Sequence, residues 1–328
     1  MVIAVTGSIA TDHLMTFSGR FAEQFVADQL ERVSLSFLVD DLEIRRGGVA
    51  ANICFGLASL GRRSVLVGAV GVDFAEYRSW LDRAGVDTQS VHVSELKHSA
   101  RFVCTTDADQ NQLASFYPGA MGEARNIELG PIAKRVGGLD LVLISPNDPE
   151  AMLRHTRECR ERGLPFAADP SQQLAWLDGE AIRELVNGAA FLFTNEYERA
   201  LIEQKSAWSS DELLDRVDVR VTTLGAAGAL IERRGEPDIR VPVCREERKA
   251  DPTGVGDAFR AGFLAGLSAA LPLERSAQLG SLLATYAIET VGTQEYSFTA
   301  EEFVRRFAGE FGPDAADEIR SHVRDTAA

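Results

Sequence analysis

The sequence predicts an α/β fold: a doubly wound, mostly parallel sheet flanked by helices, with a small β-strand lid. Three observations carry this. Short β-rich runs alternate with helical stretches, several of those runs are apolar almost throughout, and two regions replace the alternation with paired strand-like segments. A near-continuous apolar run belongs to a strand covered on both faces, and repeated strand, helix, strand order favours parallel pairing.

VIAVTG (2–7) is the first strand. Ser8 and Asp12 follow it, beyond the carboxyl end where such sheets bind ligands. Asp12 is either an ordinary turn aspartate or a partner for two vicinal hydroxyls. VSLSFLVDDLEIR (33–45) and SARFVCTTDADQNQLASFY (99–117) read as strands joined by polar turns. They build a lid from about 13–46 and 98–120 within a single domain over 1–328.

GGVAANICFGLASLG (47–61) predicts a helix that is apolar all round, hence buried. Asn52 is its only strong polar group and needs partners. It makes a core hydrogen bond or, with the backbone at Gly47 and Gly48, holds substrate hydroxyls. SVLVGAVG (64–71), LDLVLIS (139–145), PFAADPS (165–171), AFLFTN (190–195) and VRVTTLG (219–225) are the remaining buried strands, with helices at 148–163 and 178–188 between them.

In TNEYE (194–198), Asn195 and Glu198 have the spacing of a capping box. The same spacing at a strand end suits water-mediated Mg²⁺, which keeps most of its hydration shell. Thr223, Gly225 and Gly228 form a TLGxxG loop followed by another strand-like run. A dinucleotide fingerprint needs a helix there, so the loop is a hairpin turn or an ATP contact.

DPTGVGDAFRAGF (251–263) opens an amphipathic helix, with Phe259, Gly262, Phe263, Gly266 and Leu267 on one face. Asp257 stands at its start as a cap or as a proton acceptor, and Asp251 is a second candidate cap. Gly254 and Gly256 let backbone N–H groups approach an anion at the positive end of the helix.

Composition narrows the function. A net charge of −15 and a pI near 4.9 disfavour nucleic acid and membrane surfaces as partners. Cys54, Cys104, Cys159 and Cys244 have no metal or disulfide spacing, which points to buried thiols in a reducing cytoplasm. None of the four lysines follows a glycine, so a P-loop is excluded, and HExxH and GxSxG are absent.

GG-x-x-x-N at 47–52 and DPTGVGD at 251–257, in order with Asp12, Asn195-x-x-Glu198 and Thr223-x-Gly225-x-x-Gly228, resemble the ribokinase (PfkB) family of carbohydrate and nucleoside kinases. The likeness spans nearly the whole chain. Within the family the chain is most similar to actinobacterial adenosine kinases, in GSIATDHLM, SLSFLVDDL, SFYPGAM and FAADPSQQLA. Pro252, Thr253 and Val255 depart from the commonest signature without touching the glycines or Asp257.

The resemblance implies a ribokinase-like fold and transfer of the ATP γ-phosphoryl group to the 5′-hydroxyl of adenosine. Asp257 would be the base and the N–H groups of Gly254, Val255 and Gly256 the anion hole. Asn195 and Glu198 would organise Mg²⁺ through water; Asn195, Thr223, Gly225 and Gly228 would contact ATP. Ser8, Asp12, Gly48 and Asn52 would hold the nucleoside, Phe102 and Phe116 would stack on the purine or else form lid core, and a homodimer through the lids would bring Ser36 or Phe37 near its own or its partner's site. A monovalent cation such as K⁺ near the glycine loop stays open, as do a ribose or fructose kinase of the same family and a non-catalytic sensor.

Overall fold

The computed structural model describes residues 1–24 and 36–324. In chain order the elements are β1 (Ile3–Thr6), β2 (Ala10–Thr16), α1 (Phe21–Gln24), β3 (Asp41–Gly47), α2 (Val49–Ser59), β4 (Ser64–Val67), β5 (Ala69–Val70), α3 (Ala75–Ala84), β6 (His92–Val93), β7 (Ala100–Thr106) and β8 (Gln112–Tyr117). There follow α4 (Leu129–Val136), β9 (Leu141–Ile144), α5 (Pro149–Arg162), β10 (Phe166–Ala168), α6 (Gly179–Val186), β11 (Ala189–Asn195), α7 (Glu196–Ser206), α8 (Ser210–Leu214), β12 (Val217–Thr223), β13 (Ala229–Glu232) and β14 (Ile239–Val241). Four helices follow among the described residues: α9 (Val255–Ser268), α10 (Leu273–Ile288), α11 (Ala300–Phe311) and α12 (Pro313–Arg320).

Among the described residues, eight strands form the main sheet in the order β14-β13-β12-β11-β10-β9-β1-β4. The six from β4 to β12 are parallel and the β13–β14 end is antiparallel. Strand alternation sorts the two covering layers. Ile3, Val5, Leu141 and Leu143 face the core with α2, α9, α10 and α11, while Ala4, Val142 and Ile144 face the core with α5 and α6. The chain leaves β1 toward β4 and later resumes on the other side at β9, which makes the β1/β9 boundary the topological switch point. Ser8 N–H donates to Pro146 O across that crevice at 2.8 Å.

The lid is a second sheet, β3-β2-β7-β8. It corrects the sequence reading at its first strand: β2 begins at Ala10, so Asp12 sits on a lid strand and not in a turn. Residues 36–40 are not strand; β3 starts at Asp41, and 33–35 lie outside the described residues. The run at 64–71 is interrupted at Gly68, where a Cβ would stand 2.7 Å from Gly7 O. All four cysteines are buried and free. Among the described residues no helix is long and apolar enough to cross a membrane.

Candidate active site

Two helix N-termini meet over the switch point. Gly48 precedes α2 with φ at 94°, and a Cβ there would fall 2.6 Å from both Ala10 N and Ser8 O. Ser8 Oγ accepts the Val49 N–H at 3.1 Å, satisfying one of the orphan donors of that helix. Asn52 follows one turn in. Gly254, at φ 76°, starts α9 and packs so closely on Thr293 that a Cβ would lie 2.9 Å from its Cγ2.

Asp257 is in the first turn of α9 and is not its cap, because Gly254 occupies that position without any side-chain capping bond. Its Oδ2 accepts from Asn52 Nδ2 at 2.8 Å. Asp251 does not cap α9 either. Its carboxylate accepts from Thr253 N–H at 2.9 Å, from Gly292 N–H at 3.2 Å and from Arg45 at 3.2 Å. The Gly256 and Asp257 N–H groups stay in the first turn, where a helix supplies no acceptor of its own, while Val255 N–H turns weakly to Pro252 O at 3.4 Å. Burial lifts the Asp257 carboxyl to about 6, against the Asn52 donor and the Arg260 charge and with the help of Asp169. It is therefore ionised at neutral pH and close enough to neutrality to accept a proton.

Sequence reasoning missed the ion pair beneath this junction. Asp169, just past β10, meets Arg260, one turn along α9 from Asp257, in a two-pronged contact of 2.6 and 2.7 Å. Both are buried. Arg260 also donates to Gly256 O at 3.1 Å and lies 4.0 Å from Glu198. Burial raises Asp169 to about 6 in spite of Arg260, which keeps the pair charged at pH 7. An arginine in an otherwise apolar helix face and an aspartate at a buried strand end were the available signals.

Asn195 and Glu198 make a full capping box: Glu198 N–H donates to Asn195 Oδ1 at 2.8 Å and Asn195 N–H donates to Glu198 Oε2 at 2.7 Å. That leaves the Asn195 amide nitrogen, and Glu198 Oε1 with one donor, Ser171 Oγ at 3.2 Å. No group of three or more His, Cys, Asp or Glu side chains gathers for a metal among the described residues. The donor set suits a hydrated Mg²⁺ held mainly by water and phosphate.

Two clefts flank the α9 N-terminus. One, of about 350 Å³, is lined by Thr223, Gly225, Gly228, Val255, Gly256 and Phe259. Gly228 shapes its wall, since a Cβ there would fall 2.0 Å from Val241 O. The other, of about 290 Å³, is lined by Asp12, Phe102, Arg45, Asp251, Thr253 and Thr293. Arg45, Asp12, Phe102 and Phe116 form one row across the lid sheet and share a face. Burial, opposed by Arg45 and aided by Asp251, lifts Asp12 to about 6.

The predicted residues thus separate. Asn52, Asp257 and the glycines of both signatures converge; Thr223, Gly225 and Gly228 line the first cleft; Asp12 and Phe102 line the second. Ser8 stands at the α2 N-terminus, where its Oγ accepts the Val49 N–H. Ser36 is exposed and Phe116 is half exposed, at 51%.

A helix N-terminus with clefts on both sides and a carboxylate in its first turn is an arrangement suited to group transfer in a doubly wound α/β fold. The family model described as pfkB family carbohydrate kinase matches residues 9–300, and the chain belongs to that family. A nucleoside kinase of Methanocaldococcus jannaschii is 30% identical over 79% of this chain and 84% of its own. Two solved structures of a Burkholderia thailandensis nucleoside kinase, each 35% identical, superpose with similar closeness. The inosine complex has a TM-score of 0.83 over 94% of this chain and 99% of that one, and the ADP-inosine complex 0.80 over 99% and 98%.

Proposed function

We propose that this protein is a nucleoside kinase that transfers the γ-phosphoryl group of ATP to the 5′-hydroxyl of adenosine. The observation that carries the reading is the α9 N-terminus, where Val255 and Gly256 line one cleft, Asp251 and Thr253 line the other, and Asp257 sits in the first turn. Asp257 accepts the hydroxyl proton as the oxygen attacks phosphorus. Of the expected anion hole, the Gly254 and Gly256 N–H groups, joined by that of Asp257, would face the charge that develops on the transferred phosphoryl group, while Val255 N–H turns to Pro252 O. Mg²⁺, held through water by Asn195 and Glu198, would neutralise phosphate charge. Asp12 binds the ribose diol, and Phe102, with Phe116 beside it, offers the purine a stacking surface.

A nucleoside as acceptor is supported by the Burkholderia enzyme, which binds inosine, and by the Methanocaldococcus kinase. Adenosine in particular rests on the likeness to actinobacterial adenosine kinases. The homodimer is supported by the far face of the lid, where Leu42, Ile44, Leu113 and Tyr117 are all exposed.

A coupled ADP-release assay with ATP, Mg²⁺ and a panel of adenosine, inosine, guanosine, cytidine, ribose and fructose tests the reading. The highest kcat/KM is expected for adenosine. A preference for inosine would keep the nucleoside kinase and reassign its base, and turnover of the free sugars alone would make it a sugar kinase.

A further inference from the structure

The hydrogen bond from Asn52 to Asp257 requires that Asn52 present its amide nitrogen, not its oxygen, to the carboxylate. What decides this lies outside every motif. Gln294, buried in the segment after α10, sits between three groups. Its Oε1 faces Trp80 Nε1 at 3.1 Å, and its Nε2 faces Asn52 Oδ1 at 2.9 Å and Tyr77 Oη at 2.5 Å.

The hydrogen-bonding inventory leaves one arrangement. An indole N–H can only donate, so the Gln294 oxygen must face Trp80. The Tyr77 hydroxyl proton is directed to Gly47 O at 2.9 Å, so Tyr77 can only accept from Gln294. The Gln294 NH₂ therefore points inward from both sides. It donates to Asn52 Oδ1, while the single Thr293 hydroxyl proton is shared between that oxygen and Arg46 O, each at 2.9 Å. With the Gln294 NH₂ donating to its oxygen, the Asn52 amide has its nitrogen left for Asp257.

We propose that Trp80 and Gln294 are positioning residues for the phosphoryl transfer: their hydrogen-bond chain locks the Asn52 amide so that it always donates to Asp257. The proposal rests on Asp257 acting as the base. Its consequence is electrostatic. An Asn52 turned the other way would aim a carbonyl oxygen at the carboxylate, favouring the protonated acid and withdrawing the base near neutrality. The other groups facing Asp257 are Arg260 on its own helix, Asp169 past β10 and Tyr296 from the segment after α10, with Glu198 of α7 reached through Arg260. None of these is a hydrogen-bond partner of Trp80 or Gln294.

The test compares Trp80→Phe, which keeps an aromatic ring and removes the donor together with part of the indole, and Gln294→Leu with the native enzyme and with Asp257→Asn. Steady-state kcat, KM and the pH profile are read for each. Gln294→Leu is expected to lower kcat by roughly 10- to 100-fold, the size of one hydrogen bond to a charged group. Its acid limb should move upward by about one pH unit, with KM for ATP unchanged; Trp80→Phe should follow in the same direction by less. A merely structural role would scale the whole profile through lost folded protein and leave the limb in place. Native kcat and an unmoved limb in both variants, with Asp257→Asn inactive, overturn the relay and keep the base. Retained turnover in Asp257→Asn overturns both.

Discussion

The junction of α2 and α9 and the lid sheet solve opposite problems. At the junction, Asn52, Asp257, Asp169 and Arg260 are held by short bonds inside the body before any substrate arrives. In the lid, Asp12 and Phe102 are half-buried, Phe116 is 51% exposed, and the far face displays Ile44 at 59%. Charge that develops during a reaction is best met by groups that need not reorganise. A surface that recognises a nucleoside can instead complete its burial with the nucleoside itself. On this account the body carries kcat and the lid carries KM, and each variant below is a way to break or sharpen that division.

The largest effect is expected from Asp257→Asn, which should lower kcat by about 10³- to 10⁴-fold, near the upper range for a general base. Adenosine binding measured by calorimetry should stay within a few-fold of native, because the lid is untouched. Arg260→Met comes next. It strands the Asp169 carboxylate in the interior, a loss of about 3–5 kcal/mol in stability, visible as a lower Tm in scanning calorimetry, together with a lower kcat. An unchanged Tm would mean that the pair contributes nothing to the body's rigidity.

Phe102→Ala should act on the other side of the division. Loss of one stacking contact is worth about 1–3 kcal/mol, so KM for adenosine should rise by roughly 5- to 100-fold while kcat holds. A fall in kcat with constant KM would assign Phe102 to the body's work. The smallest kinetic effect is expected from Ile44→Asp, aimed at the outer lid face. Light scattering should report a dimer for the native chain and a monomer for the variant; a native monomer would remove the lid interface.

The sequence reading reached the parts whose constraint is local. Gly48 and Gly254 stand at positive φ ahead of their helices, and the near-continuous strands of the sheet needed no partner to be seen. Long-range pairing was beyond it. Asp169 and Arg260 are 91 residues apart, and Asn52 and Gln294 are 242 apart, so no window contains either pair. The strand β2 was missed because ATDHLMT places Asp12 on the cleft face and Thr11 and His13 on the other, which blurs the alternation that marks a half-buried strand. The sequence leaves Asp257 as a candidate cap because the composition of a capping turn and of an anion-binding turn is the same. Only the backbone placed the cap at Gly254.

The central claim is that a half-buried, ionised Asp257 takes the proton, and the pH dependence of kcat under saturating adenosine and MgATP tests it most directly. A carboxyl lifted to about 6 by burial is ionised above that pH and protonated below it. The account predicts that kcat is level near neutrality and falls with unit slope below about pH 6. A kcat that stays flat from about pH 8 down to about pH 5 would contradict it.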